Sequence, residues 1–170
     1  GLEGGGIICM PGTHSKWVTL TDGRVEQFST WMTGELFALL SQHSILAATF
    51  EGDSLPDDAF RGALNATLDT PERLTNALFG LRARGLLGQS GGSASALSGH
   101  LIGLELVGVG VASDVRLLTS GGLGDLYAAA LDEIAAKTAI SDHHSDAREG
   151  VSAFHDKRNP SFNAWLDDNS

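Results

Sequence analysis

Residues 5–28 read GGIICMPGTHSKWVTLTDGRVEQF, and this stretch decides how the chain begins to fold. The apolar run at 7–10 predicts a short buried strand, which a Pro-Gly pair ends. Two further runs, 16–20 and 25–31, predict strands on either side of an Asp-Gly pair, which favours a tight turn because it accepts positive φ angles. The stretch therefore predicts a β-meander.

The first loop of this meander carries an unusual set of residues for a hairpin tip, Gly12-Thr13-His14-Ser15-Lys16. Clustered backbone N–H groups, hydroxyls, a ring nitrogen and an ammonium group are the parts that hold phosphate in proteins. No Gly-x-x-x-x-Gly-Lys-Ser/Thr pattern occurs, so the loop is not a Walker-type phosphate loop. The alternative interpretation is a solvated polar tip, with Lys16 as an ordinary charge at the strand edge.

A helix is predicted directly after the meander, starting at Thr33. The Thr33 hydroxyl is expected to cap free N–H groups of the first turn. Leu36, Leu39 and Leu40 have the spacing of an apolar stripe, and they predict which face of the helix is buried.

Two more helices are predicted between residues 52 and 89. The first lies within 52–68, with Pro56 placed for its first turn and acidic residues that complement the positive end of the helix. The second lies within 69–89, and either Asp69 or Thr70 is expected to cap it. Leucines at helical spacing line one face of this second helix.

The next helix is rich in small residues. Gly99 and Gly103 stand four residues apart in the stretch SALSGHLIGLELVGVG. This spacing puts both glycines on one face of a helix, where they allow a neighbouring element to pack closely.

A strand, a Gly pair and a helix follow in direct succession near the end of the apolar part of the chain. The strand is predicted at 115–119, the turn is Ser120-Gly121-Gly122, and the helix is predicted at 123–139. Backbone N–H groups at such a helix start can face a bound anion. The alternative interpretation is a plain turn.

Composition limits the classes of partner. The 170 residues carry a net charge of -10, with 42% hydrophobic residues. Such an acidic surface argues against nucleic acid or an anionic membrane as a general partner. Cys9 is the only cysteine, which excludes a disulfide framework and a cysteine-based zinc site.

No metal site is predicted, because the adjacent histidines 143 and 144 lack the spacing of a dedicated site. No apolar run approaches the ~18 residues that span a bilayer, and no signal peptide is visible. A cytoplasmic location is expected.

Three blocks of the sequence resemble one known family. They are CMPGTHSKWV, FSTWMTGELFALLSQHSIL and LFGLRARGLL. Together they are similar to the 2-dehydro-3-deoxygalactonokinase family, sugar-acid kinases of the actin-like ATPase superfamily, over roughly residues 1–130. The resemblance implies phosphorylation of 2-keto-3-deoxy-galactonate at O6, with ATP and Mg²⁺ as cofactors.

The resemblance also implies a fold. Residues 1–139 are expected to form an α/β unit, with an N-terminal β-meander followed by helices and further strands. This unit resembles the second lobe of an actin-like (ribonuclease H-like) kinase. The segment 140–170 differs in composition from the rest, and by its own residues it is expected to form a polar C-terminal tail with one amphipathic helix.

The resemblance assigns candidate site residues in three groups. Phosphate and nucleotide binding would fall to Gly12, Thr13, Ser15, Lys16, Ser120, Gly121 and Gly122. The catalytic residues, which would stabilise the transferring phosphoryl group, would be Thr13, His14 and Lys16. Weaker substrate candidates are Thr33, Glu35, Arg82 and Arg84, for which a helix start and solvated helix charges are the alternative interpretations.

The sequence also departs from the family pattern. The Asp-x-Gly-Thr-type phosphate loop of the first lobe does not occur, and no general base is identifiable. The chain therefore reads as a second lobe, and the isolated chain is expected to show no turnover. The expected partners are the sugar acid and ATP, together with either a first lobe or further copies of the chain.

Two other functions stay open beside the kinase. HSDAREGVSAFHDKRNPSF, residues 144–162, is similar to the end of enoyl-CoA hydratase/isomerase (crotonase) chains. A crotonase-type acyl-CoA enzyme is therefore one alternative, supported by the tail only. A non-catalytic interaction or oligomerisation module derived from the kinase fold is the other.

Overall fold

The computed structural model describes residues 5–50, 52–88, 93–111, 115–119 and 121–143. These residues form four strands, β1 (Gly5–Met10), β2 (Ser15–Thr21), β3 (Arg24–Trp31) and β4 (Val115–Leu117). They also form five α-helices, α1 (Thr33–His43), α2 (Asp58–Asp69), α3 (Leu74–Leu86), α4 (Ala94–Val109) and α5 (Gly122–His143). Single 3₁₀ turns lie at Ala47–Thr49 and Pro71–Arg73. The α/β class is confirmed.

The sheet contains the predicted meander. The strand order is β3-β2-β1-β4, and β1, β2 and β3 pair antiparallel in sequence order. Asp22 and Gly23 both have positive φ in the turn between β2 and β3, as the Asp-Gly pair predicts. The further strand, β4, pairs parallel with β1, so the chain between them crosses over through the helices.

Helix α1 starts at Thr33 as predicted, but two details of the prediction are wrong. The Thr33 side chain does not cap the helix; it donates instead to a buried carboxylate on α4. Leu36 and Leu39 are exposed, whereas Phe37 and Leu40 pack against the core. The true buried face is therefore rotated from the predicted stripe.

Helix α2 starts later than predicted. Asp57 is the N-cap, and its carboxylate accepts from the Phe60 N–H at 2.9 Å. Pro56 precedes this cap, so its placement in the first turn was wrong. An Asp with an accepting oxygen satisfies an otherwise free N–H group, which a proline ring cannot do.

The segment predicted as one helix at 69–89 begins with a separate 3₁₀ turn. Pro71 occupies the first position of that turn. Thr70 does not cap the following helix; its hydroxyl donates to the Ala66 carbonyl at 2.9 Å, within the end of α2. Asp69 is the last residue of α2, so it does not cap α3 either.

Helix α4 lies at the centre of the helical layer. Gly99 and Gly103 both face α2, and a Cβ atom on Gly99 would lie 2.2 Å from the Phe60 carbonyl oxygen. The predicted close packing is confirmed. Leu97 and Leu101 of α4 form a core cluster with Leu81 of α3.

The chain divides into two units, residues 1–133 and residues 134–170, and α5 runs from the first into the second. Residues 144–170 lie outside the described residues, and with them most of the predicted tail, its amphipathic helix and the crotonase-like segment. Within the described parts of the chain, no helix has both the length and the apolar character required to cross a membrane.

Candidate functional site

The predicted phosphate loop connects β1 to β2 at one end of the sheet. Thr13, His14 and Lys16 are exposed there, and the Lys16 ammonium donates to the His14 carbonyl at 3.2 Å. Ser15 differs, because its side chain is completely buried. Three of the four polar side chains are thus accessible to a ligand.

The start of helix α1 packs directly on this loop. The Glu35 N–H donates to the Thr13 carbonyl at 2.9 Å, and a Cβ atom on Gly34 would lie 2.5 Å from the Gly12 carbonyl oxygen. The Glu35 carboxylate also lies 2.5 Å from Nε2 of His14. The predicted Glu35 therefore belongs to the same cluster as the loop.

A buried carboxylate holds the elements behind the loop together. Glu105 of α4 is 1% exposed. It accepts from Trp17 Nε1 at 2.6 Å, from the Tyr127 hydroxyl at 2.8 Å and from the Thr33 hydroxyl. Among the described residues no cation pairs with it, so these three donors stabilise the buried carboxylate.

Ser15 extends this network to the loop. Because the Tyr127 proton is donated to Glu105, the phenolic oxygen accepts from Ser15 at 2.8 Å. Burial, and secondarily the Glu105 charge, raise the pKa of Tyr127 well above its ordinary value of 10.0. The phenol therefore stays protonated, and the Ser15 hydroxyl is engaged inside the protein.

A cleft of about 430 Å³ opens beside the loop and the start of α1. Gly12 and Gly34 line one side of it, and Gly122, the first residue of α5, lines another. Much of the remaining wall is apolar, from Phe37, Leu55, Leu101, Ile102, Leu123 and Leu126. A cavity of this size with apolar walls and a few polar groups is typical of small-molecule sites.

One residue of each predicted glycine motif, Gly12 and Gly122, thus lines the same cavity although more than a hundred residues separate the two in the sequence. The other described members of the two motifs lie beside the cavity and not in its lining, namely Thr13, His14, Ser15, Lys16 and Gly121. Gly121 has φ of +74°, and the helix begins at the next residue. Ser120, the remaining member of the predicted turn, lies outside the described residues. Thr33, a weaker candidate, also lines the cleft.

The two candidate arginines lie elsewhere. Arg82 donates to the Ile45 carbonyl at 2.5 Å. Arg84 lines a separate cavity of about 370 Å³ together with His100. Neither arginine is among the described residues that line the cleft.

His100 is a buried neutral group in that second cavity. Its Nδ1 lies 2.8 Å from the Thr67 hydroxyl. Burial, reinforced by the nearby Arg84 charge, lowers the pKa of His100 from 6.5 to about 4. The ring therefore carries no charge at neutral pH.

Sequence reasoning missed Glu105, Tyr127 and a further cleft residue, Asp53. One signal for Glu105 was present, because it is the one charged residue in the stretch LIGLELVGVG. A carboxylate within an apolar helix indicates a buried hydrogen-bonded group. Asp53 stands in a polar stretch and gives no such signal.

Comparison with known proteins gives a consistent set of relatives. A family model described as 2-keto-3-deoxy-galactonokinase matches residues 2–154. A probable 2-dehydro-3-deoxygalactonokinase of Rhizobium meliloti (strain 1021) is 46% identical over 159 residues, which are 88% of this chain and 52% of that protein. The 2-dehydro-3-deoxygalactonokinase of Escherichia coli (strain K12) is 40% identical over 102 residues, 59% of this chain and 35% of that protein.

A solved structure is similar as well. The crystal structure of a putative 2-dehydro-3-deoxygalactonokinase protein from Sinorhizobium meliloti matches with a TM-score of 0.70 and 49% identity, over 76% of this chain and 44% of that one. The chain spans about half or less of the length of the relatives it matches. The family match also includes the first part of the segment that resembles crotonases.

Proposed function

Since the chain belongs to the 2-keto-3-deoxy-galactonokinase family, we propose that it is the nucleotide-binding portion of an ATP-dependent sugar-acid kinase. In this proposal the chain forms the second lobe of an actin-like kinase, and the β-meander with the parallel β4 supplies the sheet of that lobe. The reaction is transfer of the γ-phosphoryl group of ATP to O6 of 2-keto-3-deoxy-galactonate.

The observation that carries this proposal is the shared cleft. Gly12 of the polar loop and Gly122 at the start of α5 line the same cavity of about 430 Å³. Glycines let a ligand approach the backbone closely, and a helix start favours negative charge. The apolar wall suits a purine base, and the polar loop beside it suits the phosphates.

In this proposal the exposed side chains of the loop stabilise the phosphoryl group in transit. Lys16 supplies a positive charge and Thr13 supplies a hydroxyl donor, whereas His14 donates from Nδ1 when that nitrogen also carries a proton. Glu35 binds His14 Nε2 and so fixes the orientation of the ring. Ser15 acts differently, because its buried bond to Tyr127 positions the loop from behind.

Mg²⁺ fits this arrangement as a companion of the nucleotide. Within the described ranges no group of three or more metal-ligating side chains occurs. Mg²⁺ commonly keeps several waters and binds substrate phosphates, so it requires no cage built by the protein. When bound, it neutralises developing charge on the phosphate oxygens.

The direct test measures ATP binding and phosphate transfer separately. Isothermal titration of the 170-residue chain with ATP is expected to show binding at one site. A coupled assay with ATP and 2-keto-3-deoxy-galactonate is expected to show no turnover, since the chain spans about half the length of its curated relative. Absence of ATP binding would contradict the nucleotide site, and rapid turnover would contradict the need for a further lobe.

The remaining partner predictions stay open to simple measurements. Val25 and Phe28 are exposed on β3, an edge strand of the described sheet, which favours contact with a further lobe or another copy. Sedimentation of the chain distinguishes a monomer from a homo-oligomer.

A thermal shift with CoA tests the crotonase-type alternative, for which we expect no stabilisation. The cytoplasmic location also remains a prediction.

A further inference from the structure

The polar side chains in the cleft are nearly all engaged within the protein. Thr33 and Tyr127 both donate their protons to Glu105. Ser54 and Ser98 hydrogen-bond to each other at 2.9 Å. These hydroxyl groups therefore have little capacity left to recognise a ligand.

Asp53 is the exception in this cleft. Its side chain is exposed, and it makes no hydrogen bond or ion pair with any residue that the structure describes. The segment that carries Asp53 is nevertheless held in place by hydrogen bonds to the start of α4. The Ser54 hydroxyl donates to the Ala94 carbonyl at 3.0 Å, and the Leu55 N–H donates to the Ser95 hydroxyl at 3.0 Å. The result is a free carboxylate on an anchored segment at the rim.

The chemistry of a carboxylate selects which part of a nucleotide it can bind. An ionised Asp accepts hydrogen bonds and donates none. It repels the anionic phosphates, which the polar loop around Lys16 attracts instead. The groups of a nucleotide that donate are the amino group of the base and the two hydroxyls of the ribose.

The location of Asp53 in the cleft decides between the amino group of the base and the hydroxyls of the ribose. Phe37, Leu101 and Ile102 form part of the apolar wall of the cleft, where the base can bury its faces. Asp53 stands at the exposed rim, where a sugar retains contact with water. Two carboxylate oxygens also match a vicinal pair of hydroxyls.

We infer that Asp53 binds the ribose hydroxyls of the nucleotide, so that the cleft selects ribonucleotides over 2′-deoxyribonucleotides. This inference rests on the proposed function, because it requires a nucleotide in the cleft. It adds a specificity-determining residue that is distinct from the phosphate loop.

The test compares ATP with 2′-deoxy-ATP by isothermal titration of the 170-residue chain, with and without Mg²⁺. The unchanged chain is expected to bind ATP about tenfold more tightly, the factor for one charge-assisted hydrogen bond. In Asp53→Ala that ratio is expected to fall close to one. The ratio is the decisive quantity, because removal of a negative charge alone affects both nucleotides equally.

Asp132→Ala is the matched control, since Asp132 is an exposed acid of α5 outside the cleft lining. It removes the same charge and is expected to leave the ratio at its original value.

An unchanged ratio in Asp53→Ala would overturn the inference while ATP binding stands. If Asp53→Ala lowers the ratio only in solutions that contain Mg²⁺, the inference is also overturned, because the carboxylate would then hold the metal. If the unchanged chain binds neither nucleotide, the proposed function fails first and the inference fails with it.

Discussion

Glu105 shows how one buried residue can organise a candidate site without lining its cleft. Its carboxylate is buried on α4 and receives hydrogen bonds from β2, from the start of α1 and from α5. Thr33 and Tyr127, two of its donors, line the cleft. Its position therefore fixes two walls of the cavity relative to each other.

Glu105→Gln tests the importance of this carboxylate. The amide keeps the shape but replaces one accepting oxygen with an N–H₂ group, which leaves at least one buried donor unsatisfied. We expect the free energy of unfolding to fall by about 2 kcal/mol, as measured by urea denaturation. Glu72→Gln is the control, because Glu72 is exposed and such changes stay within about 0.5 kcal/mol. Equal stability of the two variants would contradict the proposed importance of the network.

Lys16→Met tests the predicted phosphate contact. The change keeps the length of the side chain but removes its charge, so ATP affinity is expected to fall about tenfold, with little change in stability. The salt dependence of ATP binding is expected to weaken as well. Arg24→Met is the control, since Arg24 is an exposed cation beside the other turn of the meander. An equal loss of affinity in both variants would indicate a general charge effect.

The polar loop can be recognised in the sequence, because its residue types are those that bind phosphate in proteins, and its role in this chain stays a prediction. The burial of Ser15 is not predictable in the same way. Its partner, Tyr127, is 112 residues away in the sequence. Composition identifies a cluster of polar side chains, but only the fold decides which of them face inward.

At the scale of the element, α4 and α2 show how small residues determine a helix interface. Gly99 and Gly103 bring the backbones of the two helices close together. Their spacing in the sequence predicts this contact directly. The prediction for the buried face of α1 is wrong, because leucine spacing alone does not say which side the other helices will cover. Phe37 and Leu40 form the true buried face.

A pair of Gly→Ala variants separates packing from helix propensity. In Gly99→Ala the new Cβ would lie 2.2 Å from the Phe60 carbonyl oxygen, so α2 and α4 must move apart. We expect a loss of about 2 kcal/mol in unfolding free energy. In Gly62→Ala, on α2, no atom lies within 4 Å of the new Cβ, and a gain of about 0.5–1 kcal/mol is expected from propensity. Thermal or urea denaturation of both variants measures the contrast, and a stabilised Gly99→Ala would contradict the close packing.

At the scale of the whole molecule, His100 makes the stability of the folded protein depend on pH. Burial lowers its pKa in the folded protein from 6.5 to about 4, so the unfolded chain takes up a proton at higher pH than the folded protein does. This contribution to stability is complete above pH 6.5 and decreases as the pH falls from 6.5 toward 4.

His100→Asn tests this pH dependence. Asn can replace the bond from Nδ1 to Thr67 but does not titrate. Between pH 7.5 and pH 5 the unchanged chain is expected to lose on the order of 2 kcal/mol through this group. The variant is expected to lose correspondingly less over the same range in urea titrations at each pH. Parallel pH profiles for the two proteins would show that other groups account for the acid sensitivity.

The Glu105 network also constrains how this family can vary. A serine and a tryptophan of β2, a threonine of α1 and a tyrosine of α5 all bond to one acid, directly or through one intermediary. Replacement of the acid by an apolar residue would leave the buried donors without an acceptor. Loss of a donor would leave the buried negative charge with fewer hydrogen bonds to stabilise it. Substitutions at these five positions should therefore be inherited together, as a correlated set in an alignment of relatives.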